Sequence, residues 1–331
     1  MSKELNVLVD PHFLSNETLA LVRPKLDDNI VITMDPVEND QVDFDVMIDG
    51  SPKPEELEKY TQLRHIIMPW AGVSVNLREK IAAYPHISLH NSHHNAVTTG
   101  EMAIALMMAA ARSIPPVDAL MHNCDWTPRE NSNDINYVLY GRTALILGFG
   151  AIGQHVGLTC QALGMDVLGI RRDPTKPITA GLKAKVFSPS ALHDLLPKTD
   201  VLIITIPLTD ESKNMIGKEE FALMPDKSML INVGRGPVVD QYALYDALSN
   251  GKLHAAGIDV WWNYPERGEH IQQPADAPLH ELPNLVMSPH RGGAGGTGQA
   301  ETLRANEIAK LLNAAARGEE MPNKVDLSLG Y

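Results

Sequence analysis

Residues 143–163 read TALILGFGAIGQHVGLTCQAL, and this stretch decides the fold of the chain. Its apolar run leads into the turn Gly148-Phe149-Gly150-Ala151-Ile152-Gly153, and a helical pattern follows with Val156 and Cys160 on one face. The first glycine of such a turn permits the tight bend, and the second lets the backbone approach a pyrophosphate. The third lets the helix pack closely on the strand, with its amino-terminal amides facing negative charge. The turn therefore predicts a dinucleotide-binding site at Gly148, Gly150, Ala151, Ile152 and Gly153.

The residues after the next apolar run, MDVLGI, indicate which dinucleotide binds. An acidic residue at this strand end would accept a hydrogen bond from the ribose 2′-hydroxyl of NAD. Arg171 and Arg172 stand there instead, and a guanidinium pairs with a 2′-phosphate in a bidentate way. We therefore expect NADP to be the preferred cofactor. The alternative is that both arginines are solvated and that Asp173 reaches the ribose, which allows NAD.

Apolar runs alternate with helical patterns on both sides of the glycine turn, which predicts βαβ units and parallel sheets. The fold class expected is α/β, with two doubly wound parallel-sheet domains. The first series of predicted strands is NVLVD, IVITM, FDVMIDG and HIIMPW. The second series is RTALILGFG, MDVLGI, DVLIITIP, SMLINVG, AAGIDV and NLVMSP.

Two helical patterns set the domain boundaries. In TTGEMAIALMMAAARS, Thr98 and Glu101 have capping-box spacing, and the residues that follow are apolar on nearly every face. We expect this helix to be buried, with its methionines in a core or a subunit interface. The pattern ETLRANEIAKLLNAAARG is amphipathic and could return the chain to the first domain. The predicted domains are residues 1–98 with 296–331, and residues 99–295.

Composition limits the partners and the compartment. The chain has 331 residues, 44% apolar and 21% charged, which is typical of a globular protein. A formal net charge of -13 argues against nucleic acid and anionic membranes as partners. No long uncharged apolar run and no signal-peptide pattern occur, so we expect a soluble, cytoplasmic protein with Cys124 and Cys160 as reduced thiols. The spacing of His90, His93 and His94 fits no standard ligand set, so no metal is expected.

Three further segments resemble one family. They are TIPLTDESKNMIG (205–217), INVGRGPVVDQYALYDALSNGKLHAAGIDVWW (231–262) and NLVMSPHRGG (284–293). With the glycine turn, they are similar to the D-isomer-specific 2-hydroxyacid dehydrogenases, in particular to glyoxylate/hydroxypyruvate reductase-like members. The first domain matches more loosely, through WAGV and the spacing of Asn95 and Glu101.

The resemblance implies a Rossmann NAD(P)-binding domain inserted into a flavodoxin-like substrate domain. It also implies an active site in a cleft that a hinge closes, and a homodimer formed through the cofactor domains. The expected reaction is hydride transfer between NADPH and a small 2-oxo acid such as glyoxylate or hydroxypyruvate.

The resemblance also assigns roles to single residues. Arg235 is similar to the family's substrate-binding arginine, and His290 to its general acid/base. Asp259 is similar to the residue that receives the nicotinamide carboxamide. The alternatives are a structural salt bridge for Arg235, a surface or capping role for His290, and a capping role at the strand end for Asp259. Further cofactor-binding positions implied by the resemblance are Pro207, Val233, Gly234 and Gly293. The implied substrate-binding positions are Arg235 and the turn Ala71, Gly72 and Val73. That turn could equally be a plain structural turn.

One position departs from the family pattern. The family places a glutamate five residues after its aspartate, where it raises the pKa of the histidine, whereas Tyr264 stands at that position here. Glu266 or Glu269 could supply the charge, because the segment from Asp259 to Pro278 looks longer than usual. The departure leaves open a formate- or phosphite-type dehydrogenase. A cofactor-sensing, corepressor-like binding protein is the alternative outside the enzymes.

Overall fold

The computed structural model describes residues 3–34, 43–130, 136–266 and 268–328. The chain divides into unit 1, residues 1–95 with 294–331, and unit 2, residues 96–293. Compared with the expected boundaries, residues 96–98 belong to unit 2 and residues 294–295 to unit 1. The first difference arises because one continuous helix begins at residue 96.

The sheet of unit 1 has five strands, all parallel, in the order β2-β1-β3-β4-β5. This is the flavodoxin-like order, in which the chain direction across the sheet reverses between β1 and β3. The strands are β1 (Leu5–Val9), β2 (Ile30–Met34), β3 (Val46–Ile48), β4 (His65–Met68) and β5 (Ser88–Asn91). The predicted strand series matches β1 to β4.

Helices cover the sheet of unit 1. They are α1 (Asn16–Val22), α2 (Pro54–Lys59), α3 (Val75–Ala82) and, from the carboxyl-terminal segment, α11 (Gly298–Ala316). Helix α1 starts at Ser15, whose side chain accepts a hydrogen bond from the Thr18 amide, and it passes into a 3-10 turn at Arg23–Lys25. Helix α11 packs on α1 and buries Ile308, Leu311 and Leu312 in the core.

Four histidines of unit 1 lie in surroundings that lower their pKa, because burial disfavours the imidazolium. His94 is the most affected, with a pKa lowered to about 4 by desolvation and then by Arg304. Its Nδ1 lies 2.9 Å from Ser92 Oγ, and Arg304 Nε donates to its Nε2 at 3.4 Å. Since the arginine can only donate, a second ring proton would face it without an acceptor. The other three are His65, His90 and His93.

Unit 1 is therefore expected to lose stability as the pH falls below about 6.5. The folded pKa values are lowered, so the unfolded state binds more protons in this window and the stabilisation is complete only above it. His94 alone contributes on the order of 3 kcal/mol. Asp49 acts in the opposite direction, because burial raises its pKa to about 6. Thermal unfolding between pH 7.5 and 5 measures the net effect, and His94→Gln should have a flatter pH dependence. Parallel pH dependences for the two proteins would contradict this prediction.

The sheet of unit 2 has seven parallel strands in the order β12-β11-β10-β9-β6-β7-β8, which contains the Rossmann order. Both faces are covered, since Leu145 and Leu147 join one core cluster and Ala144 and Ile146 the other. The strands are β6 (Thr143–Leu147), β7 (Asp166–Ile170), β8 (Ala184–Phe187), β9 (Val201–Ile204), β10 (Ser228–Asn232), β11 (Leu253–Ile258) and β12 (Leu285–Met287). The prediction of two doubly wound parallel sheets is confirmed.

The helices of unit 2 are α4 (Ala96–Ala111), α5 (Ile114–His122), α6 (Thr127–Glu130), α7 (Ala151–Ala162), α8 (Leu192–Leu195), α9 (Lys218–Leu223) and α10 (Gln241–Ser249). Because α4 begins at Ala96, Thr98 lies in its first turn and is not the cap that the sequence predicted. Met107 is fully buried and Met102 packs against the core, whereas Met108 is 38% exposed. Within the described residues, no single helix has the length and apolarity to cross a membrane. Helices α4 and α5 reach these values only as a pair, and they are bent by 65°.

Candidate active site

The glycine turn connects β6 to α7, as the sequence predicted. Gly148 has φ of +104°, and a Cβ there would lie 2.6 Å from Thr205 Oγ1. A Cβ on Gly153 would overlap the Gly148 carbonyl oxygen. A Cβ on Gly150, in contrast, would meet no atom within 4 Å. The first and third glycines are thus required by the fold, whereas the second leaves room for a ligand.

The amino terminus of α7 offers the groups that a phosphate needs. Gly150 is the N-cap residue and makes no side-chain hydrogen bond to the helix. The N–H groups of the first turn have no carbonyl partner within a helix, so they point outward as donors. The helix dipole adds positive potential at the same place. These features fit the pyrophosphate of a dinucleotide.

Arg171 and Arg172 follow the carboxyl end of β7, as expected. The guanidinium of Arg171 donates to the carbonyl oxygens of Lys176 and Pro177. Arg172 Nη2 lies 3.2 Å from Glu211 Oε2 in an exposed ion pair. Asp173 Oδ1 accepts hydrogen bonds from the backbone and side chain of Thr175, which holds it in a local turn.

The other predicted cofactor-binding residues follow strands of the same sheet, whose carboxyl ends meet at one edge because all the strands are parallel. Val233 and Gly234 come directly after β10, and a Cβ on Gly234 would lie 2.5 Å from the Ile206 carbonyl oxygen. Pro207 comes after β9, and its carbonyl oxygen accepts from Ser212 Oγ at 2.9 Å. At Gly293, beyond β12, a Cβ would meet no atom within 4 Å.

Arg235 lies just beyond β10 and is half-buried. One guanidinium nitrogen, Nη1, donates to the Gly234 carbonyl oxygen at 2.7 Å. Asn232 holds the local backbone, because its side chain donates to the Arg235 carbonyl and accepts from the Gly234 amide. Among the ion pairs of the described residues, none includes Arg235. The structural salt bridge that the sequence left open is therefore absent from the described part of the chain, and the cation is available to an anionic ligand.

His290 follows β12 and adopts φ of +59°, a left-handed conformation that few residues other than glycine adopt. Its Nδ1 lies 2.9 Å from Tyr264 Oη, and the same phenol oxygen accepts a hydrogen bond from the Trp261 amide at 3.0 Å. Since Trp261 donates, the phenol proton is free to be donated to Nδ1. When the phenol donates in this way, neutral His290 carries its proton on Nε2, the nitrogen on the opposite side of the ring, and when Nδ1 carries the proton, the phenol oxygen accepts it.

The surroundings keep both rings neutral near pH 7. Desolvation lowers the pKa of His290, and the nearby Arg235 lowers it further, while Asp259 acts in the opposite direction. Desolvation also raises the pKa of Tyr264. No negative charge therefore lies on the phenol, which is the property that separates it from a glutamate.

Asp259 is 1% exposed at the end of β11. Its Oδ1 accepts from Ser288 Oγ and from the Arg291 amide at 2.8 Å, and its Oδ2 accepts from the Gly292 amide at 2.8 Å. These donors flank His290 in the sequence. The geometry favours the alternative that the sequence left open, in which Asp259 is an anchoring carboxylate at the strand end. The loop that it anchors is the one that carries His290.

The structure brings Arg235, Tyr264, Asp259 and His290 together within unit 2, but it does not bring Glu266 to the histidine. Glu266 is exposed, and the charges that shift the pKa of His290 are those of Arg235 and Asp259. Its assignment as a catalytic carboxylate is therefore corrected. Tyr264 occupies the contact with Nδ1, leaving that nitrogen no place for a second partner.

Two contacts of this site were not anticipated from the sequence, namely the Trp261 amide on Tyr264 and the Ser288 hydroxyl on Asp259. A backbone amide carries no sequence signal. The serine directly precedes the Pro289-His290 pair, so its position near the histidine could have been noticed.

The predicted substrate-binding turn lies in unit 1, after β4. The side chain of Asn91 donates to the Ala71 carbonyl oxygen at 2.8 Å, and the Ser92 amide donates to the Trp70 carbonyl at 3.3 Å. In the described residues, the N–H groups of Ala71, Gly72 and Val73 donate no hydrogen bond. The turn is thus fixed through its carbonyls and leaves its amides available.

Comparison with known proteins gives the family. Residues 104–292 match the family described as "D-isomer specific 2-hydroxyacid dehydrogenase, NAD binding domain". A glyoxylate reductase of Thermococcus onnurineus is 30% identical over 98% of this chain and 90% of its own length. A D-3-phosphoglycerate dehydrogenase of Methanocaldococcus jannaschii is 32% identical over 82% of this chain, which spans 49% of that longer protein.

A solved structure agrees in fold. A D-isomer specific 2-hydroxyacid dehydrogenase from Xanthobacter autotrophicus, in complex with NADPH and MES, superimposes over the whole of both chains with a TM-score of 0.77 at 21% identity. The prediction of a dinucleotide-binding domain is confirmed by the match of residues 104–292. The chain belongs to the D-isomer specific 2-hydroxyacid dehydrogenase family.

Proposed function

We propose that the protein is an NAD(P)-dependent 2-hydroxyacid dehydrogenase that reduces a small 2-oxo acid such as glyoxylate or hydroxypyruvate. The observation that carries the proposal is the pairing of an available guanidinium, Arg235, with a nearby imidazole, His290, whose Nδ1 is in contact with a phenol. A cation recognises the carboxylate of a 2-oxo acid, and a proton donor completes its reduction to a hydroxyl. A bound nicotinamide dinucleotide supplies the hydride.

Arg235 has two roles in this proposal. Its fork of N–H donors binds the substrate carboxylate and the 2-oxo oxygen, which orients the carbonyl carbon. The positive charge also stabilises the negative charge that develops on that oxygen. For the turn of Ala71, Gly72 and Val73 in unit 1, we propose the role that the resemblance assigns to it, in which its backbone amides bind a carboxylate.

The protonated form of His290 donates its Nε2 proton to the developing alkoxide during reduction and becomes neutral imidazole, which takes a proton back during oxidation. Tyr264 is a positioning residue, because its phenol holds the ring through Nδ1. When the ring is protonated at both nitrogens, the phenol oxygen accepts from Nδ1–H and from the Trp261 amide.

For the cofactor, we propose NADP as preferred and NAD as usable. Arg171 and Arg172 supply the positive charge for a 2′-phosphate at the end of β7. Asp173 is engaged with Thr175, which weakens the alternative that it binds the ribose. The residues proposed to contact the cofactor are Gly148, Gly150, Ala151, Ile152, Gly153, Arg171, Arg172, Pro207, Val233, Gly234 and Gly293.

The experiment is the initial rate of NADPH oxidation, with NADH alongside, against 2-oxo acids from glyoxylate and hydroxypyruvate to branched and aromatic ones. Turnover of a small 2-oxo acid, faster with NADPH, is the expected result. Turnover that is faster with NADH would overturn the cofactor preference alone. Tight cofactor binding without turnover of any 2-oxo acid would overturn the function, and formate and phosphite would be the next substrates.

We further propose a homodimer. Unit 2 exposes a set of large apolar side chains along and after α5, and a second copy of the chain would cover them. Among the described residues from 114 to 140, the most exposed of these side chains are Ile114, Trp126, Val138 and Tyr140. Light scattering tests the proposal, since the mass of a single chain at micromolar concentration would contradict it.

The proposed compartment is the cytoplasm, because Cys124 and Cys160 are free thiols, and cell fractionation would test this.

A further inference from the structure

The carboxyl edge of the unit 1 sheet has a position where ligands bind in open parallel sheets. The strand order reverses between β1 and β3, and a crevice forms outside the carboxyl ends of the two strands at such a reversal. The available amides of Ala71 to Val73 lie at the same edge, since they follow β4, the neighbour of β3.

Two carboxylates flank this reversal. Asp10 directly follows β1 and Asp49 directly follows β3, and the register pairs the preceding residues, Val9 with Ile48. The Asp10 amide donates to the Ile48 carbonyl at 3.1 Å, which places the two aspartates side by side. The Asp49 amide donates to the Ile67 carbonyl of β4 at 3.2 Å, so this residue also borders the strand that leads to the substrate turn.

Asp49 is held at this edge with little charge compensation. It is 4% exposed, and Ser51 donates its amide to Oδ1 at 2.6 Å. Burial raises its pKa to about 6, the neighbouring carboxylates of Asp10 and Glu56 act in the same direction, and Lys80 opposes them. In the described residues, the ion pairs include none with Asp49, and Asp10 pairs with the exposed ring of His12.

An aromatic wall completes the edge. The rings of Phe13 and Trp70 lie 5.5 Å apart, and a Cβ on Gly50 would overlap the Trp70 ring. Trp70 directly precedes Ala71, so the wall continues into the turn proposed to bind the carboxylate. A substrate held by that turn would present the rest of its carbon chain to an apolar surface bordered by two carboxylates.

We propose that Asp49, together with Asp10, is a specificity determinant that selects 2-oxo acids with an uncharged side chain and rejects those with a second anionic group. The inference rests on the proposed function and names its substrate class. A second carboxylate or a phosphate ester would be repelled by like charge in partly desolvated surroundings, whereas a hydrogen, methyl or hydroxymethyl group would not.

The experiment compares kcat/KM within matched pairs, hydroxypyruvate with its 3-phosphate and 2-oxobutyrate with oxaloacetate. Wild-type protein should favour the uncharged member by about 100-fold or more. Asp49→Asn should raise the ratio of charged to uncharged kcat/KM about 10-fold, because it removes one charge at nearly the same volume. Glu79→Gln, which removes an exposed carboxylate of the same unit, should leave that ratio unchanged.

The pH dependence gives a second measurement that needs no variant. Protonation of Asp49 between pH 7.5 and 5.5 should narrow the discrimination against oxaloacetate in the wild-type protein, and Asp49→Asn should lack this narrowing. Equal turnover of both members of each pair, or an unchanged ratio in Asp49→Asn, would overturn the inference and leave the proposed function intact. Failure to reduce any 2-oxo acid would overturn the proposed function, and this inference with it.

Discussion

Arg235→Lys is expected to lower kcat/KM for the 2-oxo acid by about 10²- to 10³-fold. Lysine retains the positive charge but loses the planar fork, so it cannot hold the carboxylate and the 2-oxo oxygen at once. Arg235 has no carboxylate partner in the described part of the chain, so its replacement should leave the fold intact. The measurement is steady-state kinetics together with the dissociation constant of NADPH.

A control separates substrate binding from general damage at this place. Pro237 follows Arg235 on the same 3-10 turn, and Pro237→Ala keeps the guanidinium and alters only the neighbouring backbone. It should reduce kcat/KM far less than the lysine variant. If Arg235→Lys weakened NADPH binding as much as it lowered the rate, the arginine would serve the cofactor and not the substrate.

Tyr264→Phe is expected to lower kcat by about 10- to 100-fold, the loss typical when a group that orients a functional histidine is removed. The ring of His290 would lose its partner on Nδ1, and the Trp261 amide would lose its acceptor. The loss should occur at every pH, because a phenol and a phenyl group are both uncharged. Kinetics across pH 5 to 9, with the melting temperature of each variant, provide the measurement.

Tyr264→Glu is the matched variant, since it restores the carboxylate that the family pattern has at this position. A negative charge on Nδ1 favours the imidazolium, so the pKa of His290 should rise and the fall of the reduction rate with increasing pH should move to higher pH. In the wild-type protein that fall should lie below the ordinary histidine pKa, because desolvation and Arg235 lower it. Identical pH profiles for all three proteins would show that residue 264 does not control the histidine.

Much of the fold could be predicted because its signals are local. Each parallel strand buried on both faces reads as an apolar run, and the turn at Gly148 carries its own pattern. Strands β5 (SLHN) and β8 (AKVF) were not among the predicted runs, because polar residues interrupt them and pairing with a neighbouring strand decides their state. The start of α4 was misplaced for a related reason, since Ala96 and Val97 carry no capping signal.

The sequence names the residues of the candidate site, but not the contacts between them. Counting from Asp259 located Tyr264, yet only the geometry distinguishes it from Glu266 as the partner of His290. Likewise, sequence could name Asp259 but not its hydrogen bonds to the loop of residues 288–292. These contacts join residues about 30 positions apart, and no local propensity encodes them.

Asp259 makes the position of His290 independent of length changes in a neighbouring exposed segment. Both ends of the loop of residues 288–292, which carries His290, are hydrogen-bonded to this one buried carboxylate, so they hold the ring without support from the exposed residues 268–273. Insertions and deletions there can accumulate without displacing the proton donor, provided that residue 264 keeps its contact. The sequence of this segment can therefore change while the general acid, His290, keeps its place. A related protein could acquire a new substrate through such changes and retain the same proton donor.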